Sequence, residues 1–456
     1  MCLLSPPDQS NTTAEAKQPR HFLRGFTEMG FIPTPCYEID RAPTARQILE
    51  SRAILTYFQP ILSARQKCVV GVEGLSRGLI GVEALSRGAA ETIEKLIPPA
   101  VLFELAEREG LSAPIEQLCR ETAVRSFANL ICKKQDLILF LNFDLSMLSE
   151  TGNDAHRTRD LVAAYNIRPQ QVAIEILESK IDDTKKLQSI LAHFREYGFL
   201  LVLDDVGTGH SNLDRIPLIK PDVLKVDRSL IANIDSDYHK QETLKSLIHL
   251  SRKIGALVVA EGIETEDEAI VALELGSDLL QGFFLGRPER AGTAVTNPAA
   301  TIDALARRYK SYMVEKINLR KLQHRKFNII MNQILCDLTN AHQYDFDQIL
   351  SKTILQHAGV ECVYVLDESG VQVTDTICNP DMPRRENGII FSPAPRGADH
   401  SLKEYYFVLL DVELQKYTTD PYVSLASGSV CRTISICFRD AENNRMYVLC
   451  IDVLCE

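Results

Sequence analysis

Eight short apolar runs alternate with stretches of helical periodicity between residues 55 and 290. One helical stretch, Ile115 to Leu130, carries a continuous apolar stripe, and another begins at Thr265 with a capping box to Glu268 and ends at Gly276. The runs predict β-strands at Tyr57–Ile61, Val69–Val72 or Leu79–Val82, Leu137–Asn142, Val172–Ile176, Phe199–Asp204, Val223–Val226, Leu257–Ala260 and Leu279–Leu285. The alternation favours an α/β fold, a TIM-like (β/α)8 barrel. The alternative is an open doubly wound sheet, but no G-x-G-x-x-G turn follows the first strand.

Polar side chains lie where these strands end, which is where a barrel places its chemistry. The fifth strand ends in two adjacent acids, Asp204 and Asp205, before a Gly-Thr-Gly loop. On its own this loop is equally typical of a surface turn. However, acids, amides and a lysine also follow the other apolar runs, and their burial is costly unless they are paired or bound to a metal. They are Glu83, Asn142, Glu175, Glu178, Lys225, Glu261 and Gln281.

Taken together, these segments resemble the EAL-domain family of cyclic di-GMP phosphodiesterases over about residues 50 to 290. The Glu-Ala-Leu motif after which the family is named is present as Glu83-Ala84-Leu85, and Arg87 follows two residues later. Further matching segments are Gln59-Pro60, Asn142 with Ser146, Glu175-Ile176-Leu177-Glu178, Asp204 to Gly209, Lys225 to Ser229, Ala260 to Thr265 and Gln281-Gly282-Phe283. Each segment is a weak signal by itself, whereas their shared order and spacing are specific.

The resemblance implies metal-dependent hydrolysis of cyclic di-GMP to linear pGpG. It implies that Glu83, Asn142, Glu175 and Asp204 hold one Mg²⁺ or Mn²⁺, and that Asp204 and Asp205 hold a second ion. Oxygen and amide ligands without sulfur suit these hard ions. The remaining roles that it implies are catalytic for Lys225 and Glu261, loop-bracing for Glu178, and substrate-binding for Gln59, Arg87 and Gln281. The alternative is a catalytically impaired receptor that binds cyclic di-GMP.

Two departures from the family pattern bear on activity. Val206 and His210 stand in the fifth-strand loop where the family usually has aromatic residues. In addition, Gly71 to Gly78 (GVEGLSRG) recurs ten residues later as Gly81 to Gly88 (GVEALSRG), so Glu73 competes with Glu83 for the metal site. Because ten is even, both glutamates face the same side of a strand. We expect Glu83 to enter the site, since it keeps Ala-Leu after it, and the first copy to bulge or loop out.

Composition limits the partners and the compartment. The formal charge is -11, which argues against a nucleic-acid polymer or an anionic membrane as the main partner. The 12 cysteines contain no C-x-x-C pair, which fits a reducing cytoplasm. No apolar stretch is long enough to span a membrane.

The pattern predicts four segments: a mobile leader over 1–45, the barrel over 46–295, a linker helix over 296–340, and a small α+β domain over 341–456. The linker helix suggests a homodimer, while a helix packed on its own C-terminal domain fits equally well. In the last segment we expect a helix at Phe346–His357 and strands at Cys362–Leu366, Val371–Thr374, Gly388–Phe391, Val430–Phe438 and Met446–Val453. This segment loosely resembles PAS/Cache-type sensory domains, which implies an unknown ligand. The alternative is a packing or dimerisation module.

Overall fold

The computed structural model describes residues 44–80, 95–131, 137–143, 153–176, 184–208, 212–290, 299–357, 359–381 and 392–455. The chain divides into two compact units, residues 1–313 and 314–456. In the described residues, none of the helices is both long and apolar enough to cross a lipid bilayer.

The first unit is a closed barrel of eight strands, as the sequence predicted. Around the barrel the strands follow the order β1-β9-β8-β7-β6-β5-β4-β2, and β2 returns to β1. Strands β3 and β10 extend the sheet outside this ring. The bounds are β1 Ile54–Ser63, β2 Cys68–Ile80, β3 Lys95–Ile97, β4 Ile138–Phe143, β5 Val172–Ile176, β6 Leu200–Val206, β7 Val223–Val226, β8 Leu257–Ala260, β9 Leu279–Leu280 and β10 Glu289–Arg290.

The first strand departs from a regular (β/α)8 barrel because it runs antiparallel to both neighbours, β2 and β9. The other neighbouring pairs around the ring are parallel. The four residues 64–67 between β1 and β2 are too few for a parallel crossover, so the two strands form a hairpin. In that hairpin Gln59 lies directly opposite Glu73.

The hairpin decides where the first copy of the repeat lies. Residues 71–78 belong to β2, and Gly71–Glu73 pair with β1 on one side and with β4 on the other. The expectation that the first copy bulges or loops out is therefore wrong, since residues 71–78 pair with β1 without a register shift. The second copy, residues 81–88, lies outside the described residues.

Helices surround the barrel and cover the outward faces of its strands. Their bounds are α1 Ala45–Ser51, α2 Pro99–Arg108, α3 Ser112–Ile131, α4 Asp154–Ala164, α5 Thr184–Glu196, α6 Ile216–Ile219, α7 Arg228–Ile231, α8 Tyr238–Ile254 and α9 Glu266–Leu275. The capping box of Thr265 with Glu268 and the left-handed Gly276 bound α9 as predicted. The outer core between helices and strands includes Phe127, Phe194 and Val206.

Helix α10, Ala299–Thr339, matches the predicted long helix. Its first turns bury Ile302 and Leu305 in the barrel unit's core, and its last turns bury Ile334 and Leu338 in the core of the second unit.

The second unit contains a six-stranded antiparallel sheet in the order β12-β11-β16-β15-β13, with β14 also paired to β15. Its elements are α11 Phe346–Ile354, β11 Val360–Asp367, β12 Ile377–Cys378, α12 Glu404–Leu410, β13 Lys416–Thr418, β14 Tyr422–Val423, β15 Val430–Arg439 and β16 Met446–Leu454. The predicted strand at Val371–Thr374 is wrong, since this segment forms only isolated bridges, at Val371 and Gln372. The predicted strand Gly388–Phe391 lies outside the described residues.

Candidate functional site

The barrel interior places one polar side chain above an apolar layer on most of its strands. The layer contains Phe140, Ala173, Val202, Val223, Val259 and Leu279. Side chains two residues apart on a strand point to the same side, so the next inward-facing residue on each strand lies at the barrel mouth. Those residues are Asn142, Glu175, Asp204, Lys225, Glu261 and Gln281.

Lys225 is the centre of this mouth. Its ammonium Nζ lies 2.6 Å from Glu175 Oε1 and 2.6 Å from Glu261 Oε1. The same atom is 3.4 Å from Asp204 Oδ1 and 3.8 Å from Glu73 Oε2. The Lys225 side chain is only 2% exposed, so water contributes little to its solvation. One buried cation is therefore shared by four carboxylates.

Glu73 completes the mouth from the β1–β2 hairpin, and amide groups hold its carboxylate. Asn142 Nδ2 donates to Glu73 Oε1 at 3.3 Å, and Gln281 Nε2 donates to Glu73 Oε2 at 2.6 Å. Gln281 Nε2 also donates to Gln59 Oε1 at 3.3 Å, while Gln59 Nε2 donates to the carbonyl oxygen of Gly286 at 3.1 Å. The amides thus fix the side chain of Glu73 from the neighbouring strands.

Asp204, Asp205 and Glu261 form a second group of acids at the mouth. One carboxylate oxygen from each lies within 4.8 Å of the others, a spacing that a metal ion can bridge. The backbone of Asp205 has a left-handed φ of 55°, and its N–H donates to Asp204 Oδ1 at 2.9 Å. This turn breaks the alternation of β6, so consecutive acids can serve one cluster.

Burial and mutual repulsion shift the pKa values of these groups. Burial raises the pKa of the Glu175, Asp204 and Glu261 carboxyls, and Lys225 only partly offsets it. For Asp205, burial and the neighbouring Asp204 raise the pKa to about 7. Burial alone would lower the pKa of Lys225, but Asp204, Glu175 and Glu261 outweigh it and raise that pKa well above its ordinary value. Lys225 therefore stays protonated at neutral pH.

The donor set fits hard divalent cations. Glu175 is fully buried, and its Oε2 has no hydrogen-bond partner within the described part of the chain. A buried carboxylate oxygen without a partner is costly, and a cation offsets that cost. The surrounding ligands are carboxylate and amide oxygens, the preferred ligands of Mg²⁺, Ca²⁺ and Mn²⁺.

The structure brings together Asn142, Glu175, Asp204, Asp205, Lys225, Glu261, Gln59 and Gln281 from the predicted set. The predicted residues Glu83, Arg87 and Glu178 lie outside the described residues, as does His210. Val206 is buried in the outer core rather than at the mouth. Glu73, which we had ranked behind Glu83 as a metal ligand, lies at the mouth. The sequence feature that could have indicated this is the short hairpin that sets Glu73 opposite Gln59.

Sequence comparison gives a family match over the barrel. The model of the EAL domain matches residues 42–288. The Bacillus subtilis protein YkuI, described as an uncharacterized EAL-domain containing protein, is 26% identical over 390 residues, covering 84% of this chain and 91% of YkuI. The probable cyclic di-GMP phosphodiesterase PdeB of Escherichia coli is 28% identical over 239 residues, which cover 52% of this chain and 43% of PdeB.

An uncharacterized protein of Azorhizobium caulinodans is 30% identical over 260 residues, and the chain spans 34% of its length. Among solved structures, Bacillus subtilis YkuI, in complex with substrate c-di-GMP and calcium, superposes with a TM-score of 0.68 at 24% identity. The superposition covers 91% of this chain and 100% of YkuI. This likeness extends over both units and concerns the fold.

Proposed function

The chain belongs to the EAL domain family, and from this premise we propose that it hydrolyses cyclic di-GMP to linear pGpG with the help of two Mg²⁺ or Mn²⁺ ions. The observation that carries the proposal is the barrel mouth, where four acids contact the buried Lys225 and Asp205 lies beside two of them. Glu175 Oε2 has no partner among the described residues. A cyclic dinucleotide is a small anion, and bound cations let it enter so acidic a pocket.

The proposed metal ligands are Glu73, Asn142, Glu175 and Asp204 for one ion, with Asp204 and Asp205 holding the second, close to Glu261. Here we assign to Glu73 the place that we had expected Glu83 to take. Glu73 accepts a hydrogen bond from Asn142, and its carboxylate lies close to the Lys225 ammonium. When bound, such ions polarise a phosphodiester oxygen and lower the pKa of the attacking water.

Lys225 and Glu261 are the proposed catalytic pair. Protonated Lys225 acts as a donor, orienting the attacking water and stabilising negative charge that develops on the phosphate. Glu261 is part-exposed at the mouth, its side chain 16% accessible, so its carboxylate can reach a water from solvent. In the ionised state it accepts the proton of that water.

Gln59 and Gln281 are proposed to act at the substrate side of the rim together with Arg87. Gln281 Nε2 donates to Glu73 Oε2, and Gln59 Oε1 accepts a hydrogen bond from the same Gln281 amide. We therefore infer that they also position Glu73. Removing an outer partner of a metal ligand typically costs about 10–100-fold in metal affinity or activity.

Paired variants test the proposal and the assignment of the duplicated motif. Purified parent, Glu73→Gln and Glu83→Gln proteins are assayed for pGpG release from cyclic di-GMP with Mn²⁺ or Mg²⁺. We expect the parent and Glu83→Gln to turn over substrate and Glu73→Gln to lose at least about 100-fold, since a ligand matters no less than its outer partners.

Calorimetric binding of cyclic di-GMP to the same proteins separates the possible outcomes. A parent that binds without producing pGpG would make the chain a receptor and overturn the hydrolase proposal. Loss in Glu83→Gln with activity kept in Glu73→Gln would return the metal site to the second copy of the motif.

We also propose a homodimer in the cytoplasm, with the C-terminal unit as a PAS/Cache-like sensory domain for an unidentified ligand. In the middle of α10 the side chains of Leu319, Leu322 and Ile329 are 55%, 59% and 68% exposed, which supports a helix that pairs with its twin. A monomer mass by light scattering at micromolar concentration would contradict the dimer.

A further inference from the structure

Two cysteines of the C-terminal unit lie opposite each other on neighbouring strands. Cys362 of β11 pairs in register with Cys378 of β12, and their Sγ atoms are 2.8 Å apart. The Asn379 N–H donates to the carbonyl oxygen of Glu361 at 2.8 Å, which makes the cysteine pair a non-hydrogen-bonded one. In such pairs the side chains of opposing residues come closest.

We propose that Cys362 and Cys378 form a reversible disulfide that ties the edge strand β12 to the sheet. A disulfide needs sulfurs about 2.05 Å apart and Cα atoms at the spacing of a directly opposed strand pair. The two sulfurs must therefore approach by only about 0.8 Å.

The surroundings decide which sulfur reacts first. Cys362 is fully buried, and its pKa is raised by the Cys378 thiol, by burial and by the nearby acids Asp452 and Glu361. Cys378 is half-buried on the edge strand, so it is the more accessible of the two sulfurs. Since the thiolate is the attacking species, Cys378 is the entry point and Cys362 the resolving thiol.

The reaction uses a small disulfide such as oxidised glutathione as the oxidant. The Cys378 thiolate attacks one sulfur of that disulfide, forms a mixed disulfide and releases the first glutathione thiolate. Cys362 then loses its proton to solvent and attacks Cys378 Sγ, which releases the second glutathione thiolate. In balance, two protein thiols are oxidised to one disulfide and one glutathione disulfide is reduced to two thiols.

The sequence makes this bond unusually easy to detect. Trypsin cleaves after Lys352 and Arg384, and the peptide between them contains Cys362 and Cys378 as its only cysteines. The full-length protein is equilibrated in glutathione buffers of increasing oxidised fraction, blocked with N-ethylmaleimide under denaturing conditions and digested. We expect the doubly alkylated peptide to be replaced by an unalkylated peptide that is two hydrogens lighter than the free dithiol peptide. Reduction before alkylation should reverse the change.

Variants test the order of attack. In Cys362→Ser we expect a stable glutathione adduct on Cys378, whereas Cys378→Ser should leave Cys362 unmodified. Cys437→Ser, which removes another half-buried thiol of the same sheet, should still form the bond. Closing the loop of 16 positions should also raise the thermal midpoint of the parent by about 6–12 °C on oxidation.

The result that overturns the proposal needs no variant. If the parent peptide keeps two alkylated cysteines in excess oxidised glutathione while the protein remains folded, the two thiols are only a hydrogen-bonded pair. A linkage of either cysteine to a different one would equally refute it.

Discussion

Replacing Lys225 by methionine removes a buried cation that contacts four acids of the barrel mouth. Its Nζ lies between 2.6 and 3.8 Å from four carboxylates, and Glu175 is fully buried. Methionine keeps most of the side-chain volume, so the change acts through charge. In metal-free buffer at pH 7.5 the acids lose their counter-charge, and breaking a buried pair in this way typically costs about 3–5 kcal/mol.

That cost converts to a large change in thermal stability. Domains of 150–250 residues lose about 2–4 °C in midpoint per kcal/mol, so Lys225→Met should unfold roughly 6–20 °C below the parent. The sign follows from the raised pKa of Lys225, because its charge contributes to stability at all pH values below that pKa. Lowering the pH toward 5 protonates the acids, whose pKa values are raised. The difference in thermal midpoint between the parent and Lys225→Met should therefore become smaller.

Divalent cations should also reduce this difference in thermal midpoint, since they supply positive charge to the same carboxylates. The assay is scanning calorimetry of the parent and Lys225→Met in chelator and with millimolar Mn²⁺. Lys245→Met is the matched control, because its ammonium pairs with Glu242 on an exposed helix surface. If Lys225→Met is no less stable than the control, or if Mn²⁺ leaves its deficit unchanged, the charge argument fails.

Two further predictions concern buried positions. Burial raises the pKa of Asp452 from 3.8 to about 7, so the free energy of unfolding should fall by up to about 4 kcal/mol as the pH rises from 4 to 7. In Asp452→Asn this part of the fall should be absent in calorimetry, whereas an equal pH dependence in both proteins would contradict it. A Cβ at Gly282 would lie 2.1 Å from the carbonyl oxygen of Ile263, so Gly282→Ala should destabilise the barrel by more than about 3 kcal/mol. Gly110→Ala, with nothing near its Cβ, should cost only about 1 kcal/mol in urea unfolding, and equal losses would refute the clash.

The barrel could be predicted because each strand carries its own local signal. The runs at Val172–Ile176, Val223–Val226 and Leu257–Ala260 have the observed strand bounds, since apolar side chains fill both the inner layer and the outer core. The same alternation predicted the mouth, where Glu175 and Lys225 follow the inner-layer residues by two positions. Periodicity carries no strand direction, so the antiparallel β1 could not be read from it.

The C-terminal unit was less predictable because its shorter strands depend on side-chain hydrogen bonds. The segment Val371–Thr374 has a strand-like composition, yet Thr374 Oγ1 accepts the Val365 N–H, where a ladder would use a backbone carbonyl. Gln372 Nε2 likewise donates a hydrogen bond to the carbonyl oxygen of Thr374. Such contacts are set by tertiary packing, and composition does not reveal them.

The duplicated motif shows how chain connectivity decides what periodicity leaves open. Both copies present glutamate to the same face, and both place glycine two residues before it. The position of that glycine matters, because a Cβ at Gly71 would lie 2.6 Å from the Phe140 ring. Either copy satisfies this packing, so the entropy of loop closure decides which copy pairs with β1. The first copy reaches β1 through a four-residue turn, whereas pairing of the second copy would add ten residues to that loop. The hairpin therefore favours Glu73.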